Sequence, residues 1–276
     1  MTQKQFEELV RKGIITHTGL TEKLSDPEFD IDKYITQIGI LGSIKEDLKI
    51  DTPAEVLDVI LAGGNAKIDA DITIAEGTSL KFSTDTQLDL NGKSITGTVA
   101  NIDKTNHDGD IVRISGTKSS IKNGSLIDNH VWDGKSTPAA VIFVENGAEV
   151  ELDNVQVSGV YPLWVKGDGS TVTIKSGEFK STVSQTLYVQ GQSKIIIEGG
   201  TFEAPDYNGK NYCLNVKDGQ FLKGKNAVDY IEVRGGTFKG FNPAVNAENP
   251  VSSFVAEGYE SVEVTPGVFV VQAIIK

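Results

Sequence analysis

Cysteine is almost absent from this sequence, because Cys213 is the single cysteine among 276 residues. No internal disulfide can form, and nothing requires an oxidising compartment for folding. The three histidines, His17, His107 and His130, are scattered along the chain without the spacing of metal ligands. We therefore expect no disulfide scaffold, no metal site and no cofactor.

Long apolar runs and basic patches are also missing. No segment approaches the roughly 20 apolar residues that a transmembrane helix needs, so we expect no membrane insertion. The formal net charge of -12 is spread along the chain, and such a surface repels the phosphates of nucleic acids. The N-terminal stretch MTQKQFEELVRKG lacks the apolar core of a secretory signal. We expect folding in a cytoplasm and release by another route, such as lysis of a host cell.

What the sequence does contain is a repeated phrase. IEGGTFEA at residues 197–204 returns as VRGGTFKG at residues 233–240, and IKSGEFKS at residues 174–181 is a looser copy. In each copy an apolar residue precedes Phe by five positions, and aliphatic residues replace Phe in three earlier copies. The six pairs are Leu90 and Ile95, Ile121 and Leu126, Leu152 and Val157, Ile174 and Phe179, Ile197 and Phe202, and Val233 and Phe238. Such self-similarity is typical of repeat architectures.

A second recurring element lies between these copies. It is a short strand with two apolar residues in period two, as expected when alternate side chains enter a core. The pairs are Val112 and Ile114, Ile142 and Val144, Leu163 and Val165, Leu187 and Val189, and Leu214 and Val216. Each repeat therefore supplies about three short strands. The uneven spacing of the repeats predicts loops at residues 101–109, 128–137 and 217–229.

These patterns predict an all-β fold, a parallel β-helix or solenoid. Each turn would stack on the previous one at about 4.8 Å, with apolar side chains forming internal ladders. The Gly-Gly pairs at residues 199 and 235 fit a corner where the backbone needs φ values that a Cβ would penalise.

The open ends of a solenoid need caps, and the sequence supplies a candidate for each. TPAEVLDVILAGG predicts a capping helix at residues 52–62, and SVEVTPGVFVV predicts a β-hairpin that turns at Pro266 and Gly267. We therefore divide the chain into a small separate N-terminal segment at residues 1–51, a β-helix at residues 52–245 and a C-terminal cap at residues 246–276.

The run TPAEVLDVILAGGNAKIDADITI, followed by LDLNGKSITG and the GGTF copies, resembles the pectate-lyase-like right-handed β-helix family. The closing NPVSSFVAEGYESVEVTPGVFVV resembles the C-terminal module of β-helix proteins from gut bacteria and their phages. Together with the N-terminal segment, the whole resembles a phage virion fibre of the crAss-like head-fibre type. This resemblance implies a right-handed β-helix in a structural protein on the virion surface, made in the host cytoplasm. It implies attachment to the head rather than the tail, and assembly as a dimer or trimer.

The N-terminal segment has apolar residues of its own. TQKQFEELVRKG carries a capping box and an apolar helical face, whereas the period of FDIDKYITQIGILGSI is too mixed to assign as helix or strand. We expect this segment to anchor the chain on a capsid or another virion protein, and the alternative is extra capping of the β-helix. The expected anchor residues are Phe6, Leu9, Val10, Ile35 and Ile38.

The carboxylates favour a protein that is not an enzyme. β-Helices that cleave polysaccharides use paired carboxylates, but the aligned outward positions give no such pair in neighbouring repeats. Those positions are Asp89, Ser120, Glu151, Thr173, Ile196 and Glu232. The alternative is a tailspike-type polysaccharide depolymerase, whose candidate catalytic residues are Asp128 and Asp133 in the loop DNHVWDG, with Trp132 stacking on a sugar. The competing interpretation is a solvated loop with a packed Trp132.

Aromatic residues form a second candidate site. Arg113, Phe143, Trp164, Tyr188 and Asn215 lie between the inward pairs, one in each repeat, and are predicted to point outward. Phe143, Trp164 and Tyr188 would then form an exposed stripe. We expect the stripe to be a subunit interface, with a track for host-surface carbohydrate as second choice and a loop covering it within one chain as third. A bacterial surface adhesin without any virus is a further alternative, against which the missing secretion signal counts.

Overall fold

The computed structural model describes residues 48–50, 63–76, 78–102, 109–218, 222, 224–245 and 252–275. These residues form an all-β structure with large parallel sheets, an arrangement compatible with a β-helix or another solenoid. The predicted capping helix at residues 52–62 lies outside the described residues. The expected anchor residues lie outside them too, namely Phe6, Leu9, Val10, Ile35 and Ile38.

Three parallel stacks of strands build the described part of the chain. The first stack has six strands, and the second and third have seven each, including two long strands that they share. The first stack contains β4 (Leu80–Phe82), β8 (Val112–Ser115), β11 (Ile142–Glu145), β13 (Leu163–Lys166), β16 (Gln185–Gln190) and β20 (Lys210–Val216). A short strand, β1 (Leu48–Ile50), precedes all of these in the chain.

The second and third stacks share two long strands, β9 (Lys118–Asp128) and β12 (Glu149–Gly159), whose two halves belong to different stacks. The other strands of the second stack are β2 (Gly64–Ile68), β5 (Thr86–Asp89), β14 (Thr171–Ile174), β17 (Lys194–Ile197) and β21 (Ile231–Val233). Those of the third are β3 (Ile72–Thr73), β6 (Ser94–Gly97), β15 (Gly177–Ser181), β18 (Thr201–Glu203) and β22 (Gly236–Lys239).

The register of the first stack confirms the predicted period-two pairs. Val112 lies opposite Ile142, which lies opposite Leu163, and the column continues to Leu187 and Leu214. All five side chains are buried. Alternate residues of these strands therefore fill the interior, where removal of apolar surface from water is the main stabilising contribution.

The five-residue step is confirmed in the other two stacks from the second copy onward. Its first members form one buried column, Ile121, Leu152, Ile174, Ile197 and Val233. Its second members form another, Leu126, Val157, Phe179, Phe202 and Phe238. The Phe rings stack with centroids 5.4 Å and then 5.0 Å apart.

The predicted alignment of the first copy of the step, which begins at Leu90, is wrong. Leu88, not Leu90, lies opposite Ile121, although Ile95 lies opposite Leu126 as predicted. The corner of this repeat holds two extra residues, and Leu90 is buried there against Gly124. A Cβ on Gly124 would lie 2.4 Å from Leu90 Cβ, so the extra loop fits only because residue 124 has no side chain. For the same reason Gln87, and not Asp89, lies opposite Ser120.

The Gly-Gly pairs occupy the corner before the third stack, as predicted. Gly200 and Gly236 have φ values of +109° and +107°, which L side chains rarely adopt. The preceding glycine is required by space, because a Cβ on Gly235 would lie 2.2 Å from the Glu198 carbonyl oxygen. Each glycine of the pair therefore has its own steric reason.

Two of the predicted loops are joined by antiparallel pairing. β7 (Asn101–Ile102) pairs with β10 (Thr137–Pro138), and a 3-10 turn, η1 (Ala227–Asp229), lies in the third predicted loop. A hairpin that the sequence analysis missed is formed by β19 (Asp206–Tyr207) and β20.

The predicted C-terminal hairpin is present. β23 (Tyr259–Thr265) and β24 (Val268–Ala273) are antiparallel and are joined by Pro266 and Gly267. β24 also pairs antiparallel with β22, so this hairpin continues the sheet that contains the third stack.

Candidate functional site

Asp128, a candidate catalytic residue, is buried at 7% exposure and is occupied by backbone hydrogen bonds. Its Oδ1 accepts the N–H groups of Val99 at 3.1 Å and His130 at 2.8 Å, and its Oδ2 accepts that of Val160 at 3.3 Å. A carboxylate held in this way joins three backbone segments. The geometry therefore gives Asp128 a structural role at the base of the 128–137 loop.

Asp133, the second candidate, organises the tip of the same loop. Its Oδ1 accepts the N–H groups of Lys135 and Ser136 at 2.8 Å each, and its Oδ2 accepts the Ser136 hydroxyl at 2.7 Å. The Ser136 hydroxyl and these two N–H groups lower the pKa of Asp133 to about 2. A general acid needs a raised pKa, so Asp133 is poorly suited to that task.

The turn at Asp133 fixes the neighbouring tryptophan. Trp132 donates its indole Nε1–H to the Ser136 carbonyl oxygen at 2.6 Å, and Ser136 is itself held by Asp133. Trp132 is half-buried, and its ring centroid lies 5.9 Å from that of Tyr207. The loop therefore presents an aromatic ring in a defined position.

The predicted stripe is correctly aligned but is not exposed. Phe143 lies opposite Trp164, which lies opposite Tyr188. However, Phe143 is only 2% exposed and Trp164 only 7% exposed. The prediction of an open interface or glycan track is therefore wrong for these two residues, and the third alternative, coverage within one chain, describes them.

The physical reason is that neighbouring segments of the same chain pack against the stripe. Ile102 of β7 and Tyr161 contact the cluster formed by Phe143, Trp164 and Ala140. The Tyr161 and Trp164 ring centroids are 6.2 Å apart with a T-shaped arrangement. Tyr188, in contrast, is half-buried.

Tyr188 belongs to an open groove, which we call the tyrosine groove. Its volume is about 460 Å³, within the range of small-molecule sites. The lining residues are Trp132, Tyr161, Ser184, Gln185, Tyr188, Tyr207, Tyr212, Asn215, Lys217 and Asp218. Five aromatic residues, from the 128–137 loop, the turn before β13, strand β16 and the missed hairpin, therefore converge on one concavity.

The aromatic residues differ in their access to solvent. Tyr207 is 37% exposed, whereas Trp132, Tyr161, Tyr188 and Tyr212 are half-buried. Burial raises the pKa of Tyr161, against the opposing effect of its hydrogen bond with Ser184, so this phenol stays neutral at physiological pH. The groove thus offers uncharged ring surfaces.

Polar groups complete the lining. Gln185 Oε1 is buried and receives no hydrogen bond from the described residues, and Asn215 is half-buried nearby. Lys217 and Asp218 are exposed and contribute opposite charges to the lining. Such a combination of aromatic surface and hydrogen-bonding groups suits a polar ligand with apolar faces.

Two of these residues, Tyr207 and Tyr212, were missed because the hairpin was missed. Tyr207 and Tyr212 flank the turn at Asn208 and Gly209, whose φ values are +53° and +77°. Asn-Gly between strand residues is the strongest short-range hairpin signal in a sequence, so DYNGKNY was sufficient to predict the turn. Gln185 carried no comparable signal, since its role depends on the position of Tyr212, which lies opposite it in the register.

The register places the outward residues of the second stack in one column. Glu151 lies between Ser120 and Thr173. Within the described ranges, no group of three or more His, Cys, Asp or Glu side chains could hold a metal ion. The same part of the chain includes no helix with the length and apolar character needed to cross a membrane.

Comparison with known proteins adds no relative to this description. No protein-family model, no curated protein and no solved structure matches the chain.

Proposed function

We propose that this chain is a non-enzymatic structural protein of a phage virion, a fibre on the virion surface. In this proposal the stacks form a right-handed parallel β-helix that serves as a rigid rod. Residues 1–51 attach the rod to a capsid or another virion protein, on the head rather than the tail, and the tyrosine groove contacts host-surface glycan.

The observation that carries this proposal is the unbroken register of the repeats. Side chains from five consecutive repeats meet in each buried column, even though loops of different length separate them. Each repeat is bonded to the next through backbone hydrogen bonds of parallel strands, and such repetition favours stiffness. A fibre requires such stiffness, whereas most binding domains do not require it.

The C-terminal hairpin supports a capped end. β24 pairs with β22, the last strand of the third stack, and thereby occupies an edge that would otherwise present unpaired backbone groups. We assign β23 and β24 as the C-terminal cap. The helix predicted at residues 52–62 is assigned as the cap of the other end.

The residues of the acidic loop favour a fibre over a depolymerase. Asp128 and Asp133 hold backbone N–H groups of their own loop, so neither carboxylate is arranged to protonate a glycosidic oxygen. Incubation of the protein with capsular polysaccharide is expected to release no new reducing ends. Release that is abolished by Asp133→Ala would contradict the proposal.

Assembly as a dimer or trimer is part of the proposal, but not through the aromatic stripe. Phe143 and Trp164 are covered within one chain, so we assign the contacts between chains to residues 1–51. Light scattering on the full chain is expected to give a dimer or trimer mass. The double variant Leu9→Asp and Val10→Asp is expected to give the monomer mass, and an unchanged mass would refute this assignment.

The virion location has a direct test. The test uses intact particles of the phage whose genome encodes the protein. Gold-labelled antibodies against the protein are expected to decorate the surface of these particles in electron micrographs. Antibody preincubated with the purified protein provides the control. Labelling confined to cell debris would refute the virion location.

A further inference from the structure

We infer that the tyrosine groove binds an uncharged oligosaccharide through the apolar faces of its sugar rings. The inference rests on the proposed contact with host-surface glycan, and it names the site and the class of ligand. The sequence analysis placed a carbohydrate track, as its second choice, on Phe143, Trp164 and Tyr188, of which only Tyr188 lines the groove.

The first support is the arrangement of rings. Trp132 and Tyr207 form one wall, with ring planes inclined by 55°, and the ring of Tyr188 belongs to the same lining and lies 5.1 Å from the buried Trp164. A pyranose ring has C–H groups on its faces, which pack favourably on aromatic surfaces, while its hydroxyl groups remain at the edge. Half-buried aromatic rings in an open groove suit such a ligand.

The second support is that the wall is held in place before a ligand binds. The Trp132 indole donates a hydrogen bond to the Ser136 carbonyl oxygen. The Asp133 carboxylate accepts two hydrogen bonds from Ser136 and one from the Lys135 N–H. Tyr207 is the last residue of β19, where it pairs with Lys210 across the two-residue turn of the hairpin. Preorganised groups lose little conformational entropy on binding, which favours affinity for a small ligand.

The third support is the buried acceptor in the lining. Gln185 Oε1 receives no hydrogen bond from the described residues, and a buried acceptor without a donor is destabilising. Gln185 is only partly buried, so a rotation of its side chain toward the groove lets a sugar hydroxyl donate that bond. Aromatic grooves also bind proline-rich peptides, but the proline residues that pack on the rings have no N–H to donate. A sugar that packs on the same rings carries several hydroxyl donors, so the unsatisfied acceptor favours the sugar.

The fourth support is the charge of the site. Lys217 and Asp218 contribute opposite charges to the lining, and the chain as a whole carries a net charge of -12. Acidic glycans would be repelled by that charge without a compensating cluster of cations among the lining residues. The electrostatics therefore favour a neutral oligosaccharide.

The test uses the full chain, labelled with a fluorophore, on a printed array of neutral, acidic and sulfated bacterial-surface oligosaccharides. Wild-type protein is expected to bind a subset of the neutral glycans. Tyr207→Ala is expected to weaken that binding about tenfold, which corresponds to ~1.4 kcal/mol, without affecting folding, because Tyr207 is exposed. Tyr207→Phe retains the ring and is expected to stay within about threefold of wild type.

Tyr259→Ala provides the matched control, because Tyr259 begins β23 and is not among the lining residues of the groove. Binding of neutral glycans by wild type that is lost in Tyr207→Ala and kept in Tyr259→Ala supports the inference. Binding of acidic glycans alone, binding of a proline-rich peptide without any glycan, equal loss in both alanine variants, or no binding would each overturn it.

This test separates the inference from the proposed fibre. A protein that decorates particles and forms oligomers but binds no neutral glycan would overturn the ligand assignment and leave the fibre intact. Glycan binding by a monomer that is missing from particles would overturn the fibre and leave the groove assignment intact.

Discussion

Phe202 stacks on Phe238 with ring centroids 5.0 Å apart and planes inclined by 18°, although 36 positions separate them in the sequence. The insertion between them contains η1 and still leaves their strands in register, since Phe202 lies opposite Phe238 in β18 and β22. The buried column of Phe rings therefore keeps its register whatever the length of the loop between two successive strands.

Phe202→Ala is expected to destabilise the protein by about 3 to 5 kcal/mol, because it leaves a cavity between the stacked rings of Phe179 and Phe238. Chemical denaturation followed by circular dichroism would measure the free energy of unfolding. Val131→Ala is the control, since Val131 is 88% exposed and is expected to change stability by less than about 0.5 kcal/mol. Equal effects of the two substitutions would contradict the buried column.

The sequence was sufficient to predict the periodic part of the fold. Apolar residues repeat there with the period of the strand and with the spacing of the repeats, so the columns through Ile174 and Leu187 followed from pattern alone. The shift at Leu88 did not follow, because two apolar residues, Leu88 and Leu90, satisfy the same period and only packing against Gly124 separates them.

The candidate site was predictable only in part. Alignment of Phe143, Trp164 and Tyr188 followed from the period, but their exposure did not, because it depends on where Ile102 and Tyr161 fold back. Ile102 and Tyr161 lie outside the three stacks, so the sequence repeat does not fix the path of their segments. The sequence singled out Asp128 and Asp133 in the 128–137 loop only as the catalytic residues of the alternative function. Their hydrogen bonds with backbone N–H groups are not visible in a sequence.

Gly177→Ala is expected to be strongly destabilising, because Gly177 has a φ of +126° and an added Cβ would lie 2.2 Å from the Val155 carbonyl oxygen. We expect a loss of about 2 kcal/mol or more. Gly92 is the matched control, with a φ of +75° and no atom within 4 Å of the added Cβ. Gly92→Ala should lose only about 1 kcal/mol in the same denaturation experiment, and a larger loss at Gly92 would contradict the close stacking of the corners.

Asp110 predicts a pH dependence of stability. It is 1% exposed, its Oδ1 accepts the Ala140 N–H at 2.9 Å, and Arg113 lies 3.7 Å from its Oδ2. Burial raises the pKa of Asp110 to about 7, in opposition to the Ala140 hydrogen bond and the Arg113 charge. The folded state therefore binds a proton that the unfolded state releases above about pH 4, and stability falls as pH rises from about 4 to 7.

The variant Asp110→Asn keeps the shape and removes this titration. Its stability relative to wild type is expected to improve by about 1 to 4 kcal/mol between pH 4 and pH 8, because one pKa unit corresponds to about 1.4 kcal/mol. Urea denaturation at a series of pH values measures the difference, with the exposed Glu178→Gln as control. A difference between wild type and Asp110→Asn that does not change with pH would contradict the buried carboxyl.

Asp133→Ala is expected to loosen Trp132, because it removes the acceptor that positions Ser136. In a Trp164→Phe background, Trp132 is the only tryptophan, and its quenching by acrylamide is expected to increase in the Asp133→Ala variant. Lys135→Ala is the control, since only the backbone N–H of Lys135 takes part in the turn. Unchanged quenching in Asp133→Ala would contradict the positioning role. Because the pKa of Asp133 is lowered to about 2, the turn should persist at pH 4.

The stacking of the repeats is tested most directly by a pair of engineered cysteines. Glu151 lies opposite Thr173 in adjacent strands, so their Cα atoms are about 4.8 Å apart, within disulfide range. The double variant Glu151→Cys and Thr173→Cys is expected to form an intramolecular disulfide on mild oxidation, detected by peptide mass spectrometry. Cys213 is buried and should not compete.

Ile196 lies one repeat further, opposite Thr173, so the pair Glu151→Cys and Ile196→Cys should remain reduced. Failure of the first pair to cross-link, or equal cross-linking of both pairs, would contradict the stacked repeats.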